Sequence, residues 1–441
     1  MKYAVITFGC RVNQADSLQM EGELRARGAV SATAREADVV IVNTCSVTAA
    51  ADQGARQAIR RVGRDNPSAE VIVTGCYATR RPDELSALPN VVRVVRNPEK
   101  EHLAAELAQT RGFTTAQRFH DGDGPCGLWL EPGVAGRTAL TLRVQTGCDE
   151  RCSYCIIPTT RGAGRSQPMR DVRAAVTRAV GAGYKEIAVT GVHLGSYGRD
   201  LADGSSLLSL VRMLGEWRDD VLFRISSLEP MDCSPALVEA VASSPRLAPH
   251  FHLPLQHASD EMLAAMRRPY SGAYYRDLVD GIRERMPHAS IGSDVIVGFP
   301  GETDRHIGEL TGYLSGSPLT HLHVFPYSHR PGTEASVLEG LPDPVVVRQR
   351  SAAVRAIGER LTRAFRASQL GAIRRALVVD DGNTAVTDNY LRLRLDHPCT
   401  RNEWIRVEVT GPETASARGE GGAPRPRETH ELDPSPSIPA D

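Results

Sequence analysis

Short runs of β-branched and aliphatic residues recur through the first hundred positions, separated by longer polar stretches. Residues 3–8 (YAVITF), 39–42 (VVIV) and 71–73 (VIV) are continuous apolar blocks, the pattern of strands covered on both faces. Between the first two blocks, a helix is predicted from near Asp16 to its stop at Gly28. Between the next two, a polar helix runs through Gln57–Arg64 and ends at Asn66-Pro67. This strand–helix–strand alternation predicts a parallel sheet over residues 1–110. Residues 111–138 break the pattern with Gly122-Asp123-Gly124-Pro125 and Glu131-Pro132-Gly133, and read as a linker. Strand candidates then recur at 139–145, 186–190, 222–226, 250–255, 291–297 and 320–326, mostly with helix-like stretches between them. Their regular spacing predicts a partial or complete βα barrel over 139–343.

A helix is predicted over 344–369. Strand-like pieces follow at 373–379, 384–387, 390–395 and 404–409, joined by turns at Asp381-Gly382-Asn383 and Asp388-Asn389, which predicts a small all-β module over 370–411. Residues 412–441 are rich in Pro, Gly and charge, and read as a disordered tail. The fold class expected is therefore α/β, with a small β-barrel appended.

Composition narrows the chemistry. The 441 residues suit two or three domains, and 41% apolar content supports real cores. A formal charge of −1 excludes binding of nucleic acid through overall positive charge, so any basic surface must be local. From Val346 to Arg375, Arg348, Arg350, Arg355, Arg360, Arg363, Arg366, Arg374 and Arg375 stand against Glu359 alone, a net +7. Beside a β-barrel this run suggests RNA contact; the alternative is a solvated helix face. No run approaches the roughly 18 apolar residues of a membrane span. The N-terminus enters a strand with no signal-like lead, so a soluble cytoplasmic protein without a membrane partner is expected.

Nine cysteines are too few for a disulfide scaffold, and their clustering points to metal or redox chemistry. Cys148, Cys152 and Cys155 form a CxxxCxxC loop after the strand TLRVQTG, at the end of a barrel strand where chemistry is placed. Three thiolates in a tight loop can hold three irons of a four-iron, four-sulfur cube and leave the fourth iron open. A zinc site lacking a partner is the alternative, although zinc loops favour paired CxxC knuckles. Cys10, Cys45 and Cys76 each follow one of the three N-terminal strand candidates. Parallel strands would deliver all three to one sheet edge, where open α/β sheets bind ligands, and there they could hold a second cluster. Singly, each would read as a small buried residue. Cys126, Cys233 and Cys399 are read as structural.

The CxxxCxxC loop, with Tyr154 before its third cysteine, resembles the radical S-adenosylmethionine superfamily. In that superfamily the open iron chelates S-adenosylmethionine, and an electron from the cluster releases a 5'-deoxyadenosyl radical. The resemblance implies cofactor contacts from Thr190, Gly191 and His193, from Ser227 and Glu229, and from Ile296, Gly298, Gly301 and Glu302, although Asp294 replaces the usual first glycine of the last motif. With Gly9-Cys10, Asn13-Gln14, Asn43-Thr44-Cys45, Thr74-Gly75-Cys76, Ile156-Ile157-Pro158, Arg161-Gly162 and Tyr327-Ser328, residues 2–410 resemble the methylthiotransferase family. That resemblance implies two [4Fe-4S] clusters, S-adenosyl-L-methionine, sulfur insertion at an unactivated C–H bond, and a C-terminal module similar to the RNA-binding TRAM domain. Implied partners are a tRNA anticodon stem-loop, a flavodoxin-type electron donor and a sulfur donor.

Within the family, Gly9-Cys10-Arg11-Val12-Asn13-Gln14, Gly191-Val192-His193-Leu194-Gly195, His323-Val324-Phe325-Pro326-Tyr327-Ser328 and Thr387-Asp388-Asn389-Tyr390 are similar to the branch acting on N6-threonylcarbamoyladenosine at tRNA position 37. The expected product is 2-methylthio-N6-threonylcarbamoyladenosine. A carboxylate on that substituent needs a cation, and Arg161 and Arg165 near the cluster loop are available. The alternatives are isopentenyl-bearing tRNA, a ribosomal-protein aspartate (suggested by Pro254-Leu255-Gln256-His257-Ala258-Ser259), and a non-catalytic iron–sulfur carrier.

Overall fold

The computed structural model describes residues 1–111 and 138–418. The first unit is a five-stranded parallel sheet of β1 (Lys2–Thr7), β2 (Val30–Ser31), β3 (Val39–Thr44), β4 (Glu70–Gly75) and β5 (Val91–Val95), in the order β2-β1-β3-β4-β5. Val40, Val42, Val71 and Val73 pack on one face against Ala55, Ile59 and Val62 of the helix Ala49–Asp65. Val39, Ile41 and Ile72 face Met20, Leu24, Leu103 and Leu107 on the other. Two covered faces explain the unbroken apolar runs. The edge strands β2 and β5 escape the apolar pattern because β2 has only two residues and Arg93 interrupts the valines of β5.

The first helix spans Arg11–Ala26, five residues earlier than the Asp16 start expected. Asp16 is an interior, buried helix position rather than a helix start, and its carboxylate serves an ion-pair cluster.

The second unit is a partial barrel, not a complete one. β6 (Ala139–Arg143), the short hairpin pair β7 (Gln145–Thr146) and β8 (Arg165–Ser166), β9 (Glu186–Thr190), β10 (Leu222–Ile225), β11 (His250–His252), β12 (Ser290–Val297) and β13 (His321–Pro326) carry it. β6, β9 and β10 form one parallel ladder and β11, β12 and β13 another; the bridge Phe223↔Leu247 links them. Among the described residues β13 makes no ladder with β6. The first helix of the N-terminal unit packs along β6 at that open side.

The helix Pro344–Ser368 leads to a closed barrel of β14 (Ile373–Val379), β15 (Thr384–Thr387), β16 (Arg392–Leu395), β17 (Trp404–Gly411) and β18 (Thr414–Arg418). The expected end of this module at 411 is therefore too early. Thr414–Arg418 closes the barrel by pairing antiparallel with β17 and parallel with β16. Most of the expected linker, Cys126, and the rest of the expected tail lie outside the described residues. No helix among the described residues is long and apolar enough to cross a membrane.

Candidate iron–sulfur and cofactor sites

Register brings the three N-terminal cysteines together. Thr7 pairs with Asn43 and Thr44 with Gly75, so Cys10, Cys45 and Cys76 leave β1, β3 and β4 at the same edge. Gly9 lies so close to Cys45 that any Cβ on it would overlap the Cys45 Cβ and Sγ, and its φ of +93° suits only glycine. The Asn13 amide ties the loops by donating to Phe8 O at 2.8 Å and Thr44 O at 2.9 Å. Asn97 Nδ2 reaches Cys76 Sγ at 3.6 Å. Burial pushes the Cys45 thiol up to about 12, and Cys10 and Cys76 add to the shift, as three thiols sharing one site must.

Beside them lies a buried charge cluster. Asp16 accepts from Lys100 Nζ at 2.6 Å and pairs with Arg143 at 2.8 Å and Arg161 at 3.1 Å. Arg161 also donates to Asn13 Oδ1 at 2.5 Å. Burial alone would raise the Asp16 pKa, but Lys100, Arg161 and Arg143 hold it down at about 2. Of the two cations available near the cluster loop, Arg161 is thus committed to the domain interface, while Arg165 stays exposed. A second clasp joins the same units: Asp52 binds Arg80 at 2.5 Å and Arg330 at 2.7 Å.

Cys148, Cys152 and Cys155 line a cavity of about 360 Å³ with Asp149, Pro158, Gly162 and Thr333. Burial pushes Cys148 up to about 11 and Cys155 up to about 12, with the neighbouring cysteines raising both further. Such thiols ionise readily only when a cation replaces the proton, so loading iron releases protons. Arg268, missed in the sequence, donates to Cys152 Sγ at 3.0 Å and pairs with Glu229. Tyr154 packs against Met262, Met266, Ile296 and Phe299. Both three-thiol sets fit a [4Fe-4S] cluster: each supplies only soft donors, and each has an arginine close enough to balance thiolate charge.

The remaining predicted cofactor residues divide. Thr190 is buried and receives a hydrogen bond from Ser226 Oγ at 3.1 Å, while Ser227 is exposed. Gly191 packs on Gln145, whose Oε1 accepts from the His193 amide at 2.9 Å. The His193 ring is held by Asp232 at 2.7 Å. Ile296 is buried near the C-terminal end of β12, and Gly298 and Gly301 follow that strand with left-handed φ of +82° and +80°. Glu302 differs from expectation: its carboxylate is fully buried, accepting from Gly298 N at 3.0 Å and Arg350 at 2.8 Å, with His257 at 3.7 Å. It shapes the turn rather than offering itself to a ligand.

Arg350, expected on the RNA surface, is consumed by Glu302 and Asp304 and its side chain is only 11% exposed. Arg366 pairs with Glu413 and Arg363 lies 4.0 Å from Glu359. Arg348, Arg355 and Arg360 are exposed. Cys233 belongs to the barrel core, where burial pushes its thiol up to about 12, and Cys399 packs against the small barrel.

Comparison with known proteins agrees with this geometry. Residues 2–96 match the uncharacterized protein family UPF0004, and residues 142–314 match the radical SAM superfamily. The threonylcarbamoyladenosine tRNA methylthiotransferase MtaB of Aquifex aeolicus is 33% identical over 93% of this chain and all of its own length. The tRNA-2-methylthio-N(6)-dimethylallyladenosine synthase of a Parafrankia species is 32% identical over 93% of this chain and 84% of its own. Among solved structures, the radical S-adenosylmethionine methyltransferase TsrM from Kitasatospora setae shares the fold, with a TM-score of 0.55, 16% identity, 76% of this chain and 75% of its own covered. An iron–sulfur enzyme using S-adenosylmethionine follows, and the chain belongs to the radical S-adenosylmethionine methylthiotransferase family.

Proposed function

We propose that this enzyme converts N6-threonylcarbamoyladenosine at tRNA position 37 into its 2-methylthio derivative, inserting sulfur at C2 and methylating it from a second S-adenosylmethionine. The observation that carries the reading is the placing of two three-cysteine sites on two units clasped together by Asp16 and Asp52. The bound groups would supply one-electron cleavage of S-adenosylmethionine and the inserted sulfur. The chain's own part is to hold Cys152 through Arg268, to fix the turn at Gly298 through Glu302, and to exclude water from the interface through the Asp16 cluster. Relatives bearing the threonylcarbamoyladenosine name, from Aquifex aeolicus and Bacillus subtilis among others, support this substrate. Exposed Arg348, Arg355 and Arg360, on the helix Pro344–Ser368 that leads into the closed barrel, would meet the phosphates of an anticodon stem-loop. A flavodoxin-type protein is the proposed electron donor, and a separate sulfur donor is required.

The dimethylallyl-type relatives keep a second reading open, the isopentenyl substrate. Incubating the anaerobically reconstituted enzyme with tRNAs bearing each precursor, followed by nucleoside mass spectrometry, decides between them. Methylthiolation of the threonylcarbamoyl tRNA is expected; modification of the isopentenyl tRNA alone, or of neither, overturns the proposal.

A further inference from the structure

The lumen of the partial barrel holds a polar group that neither cysteine site uses. Strand alternation places His250, His252, Gly292, Asp294, His321 and His323 on one face of the second ladder, while Phe251, Ile291, Val295 and Val297 enter the helix-side core. Asp294, which stands where the cofactor motif ordinarily has glycine, joins His252 Nε2 at 2.9 Å and His323 Nδ1 at 3.1 Å through one carboxylate oxygen. Gly292 makes room for this arrangement, since a Cβ there would overlap the His321 imidazole.

The histidines are not equivalent. Burial drives His321 down to about 4 and His250 well below the ordinary range, so both are neutral near pH 7. His323 is raised, first by its hydrogen bond to Asp294, and its side chain is 57% exposed. Arg11, the residue after Cys10, enters from the N-terminal unit. Its Nη2 donates to Tyr390 Oη of the small barrel at 3.1 Å; the Tyr390 ring lies 4.8 Å from His250, which stacks on His321 at 6.3 Å, and His321 lies 5.6 Å from His323. Arg224, over the same Tyr390 ring, is neutralised by Glu186 at 3.1 and 3.0 Å, and buried arginines farther off are likewise paired, Arg143 and Arg161 with Asp16 and Arg268 with Glu229. Among the described residues no carboxylate pairs with Arg11.

We propose that Arg11 and His323 form an anion subsite for the carboxylate on the substrate's N6 substituent, with Asp294 and His252 positioning His323 and Tyr390 positioning Arg11. The proposal rests on the threonylcarbamoyl reading and supplies its selectivity. A carboxylate would pair with both groups, whereas an isopentenyl chain would desolvate them without a partner. All three units contribute, so the subsite exists only in the assembled chain.

The test uses reconstituted holoenzyme and anticodon stem-loops bearing threonylcarbamoyladenosine, its methyl ester, or unmodified adenosine. Wild type should favour the acid over the ester by about tenfold or more in kcat/KM, the scale of a charge-assisted hydrogen bond. Arg11→Gln and His323→Gln should each lose most of that preference, chiefly through KM, and Arg11→Lys should recover part of it. Equal use of acid and ester by wild type overturns the subsite while leaving the substrate reading intact; no turnover of the acid overturns that reading itself. If the variants weaken the acid, the ester and the unmodified stem-loop by one factor, the two residues contact phosphate or merely support the fold, and the subsite is refuted.

Discussion

Replacing Asp16 by Asn removes the carboxylate shared by three buried cations, of which Arg143 keeps a second partner in Glu101 at 3.2 Å, and the consequence can be worked from the geometry. The side chains of Lys100, Arg161 and Arg143 are 5%, 3% and 12% exposed, so none can turn to bulk water without opening the interface. Asp16 is held at about 2 against an ordinary 3.8. That depression corresponds to about 2 kcal/mol of stabilisation at neutral pH. Burial outweighs Asp16 at Lys100 and pulls the ammonium's pKa down, so part of the gain at Asp16 is offset there. The larger effect of the substitution is the stranding of buried cations, which costs about 3–5 kcal/mol. A net loss of about 3 kcal/mol is expected, or about a hundredfold in the opening equilibrium. The sign with pH follows from a folded pKa below the unfolded one. The contribution is complete above 3.8 and is lost as pH falls through about 2, so the difference between wild type and variant should be constant from about pH 5 to 8. Hydrogen exchange read by mass spectrometry should show about a hundredfold faster exchange in peptides from Arg11–Ala26 and Ile157–Arg161, with the core of the small barrel unchanged. Exchange within about threefold of wild type in both segments would mean the cations are otherwise satisfied, and the reasoning would fail.

Gly9→Ala should abolish the second iron–sulfur site, because a Cβ would displace Cys45 and the backbone there is left-handed; reconstituted iron should fall by about half, and full iron content would refute the assignment. Arg268→Met removes a buried cation donating to Cys152 Sγ, so the adjoining cluster should become harder to reduce by about 60–120 mV in an EPR-monitored titration. A midpoint within about 20 mV of wild type would show that the contact carries no electrostatic weight. Neutralising Arg348, Arg355 and Arg360 together should flatten the salt dependence of stem-loop binding by about 0.7–0.9 per lost phosphate contact, whereas Arg350→Gln should lower stability and leave the slope alone. An unchanged slope in the triple variant would make that helix face an ordinary solvated surface.

Local pattern determined a great deal by itself. Apolar runs marked β1, β3 and β4, because strands covered on both faces leave no polar alternation to obscure them. Regular spacing marked the strands of the central unit, and the CxxxCxxC loop announced its chemistry because its ligands are neighbours in sequence. The three scattered cysteines were legible only through the rule that parallel strands end at one edge, and the register bears that out. Tertiary structure decided whatever depended on partners far along the chain. It turned Asp16 from a helix-start signal into the hub of an interface, withdrew Arg161 and Arg350 from the ligand and RNA surfaces, and buried Glu302 beneath its own glycine turn. It also gathered Arg11, Asp294, His323 and Tyr390 from separate units. The physical reason is common to all of these. A charged side chain's role is set by which opposite charge burial places beside it, and that neighbour lies tens to hundreds of residues away in sequence, where no local periodicity records it.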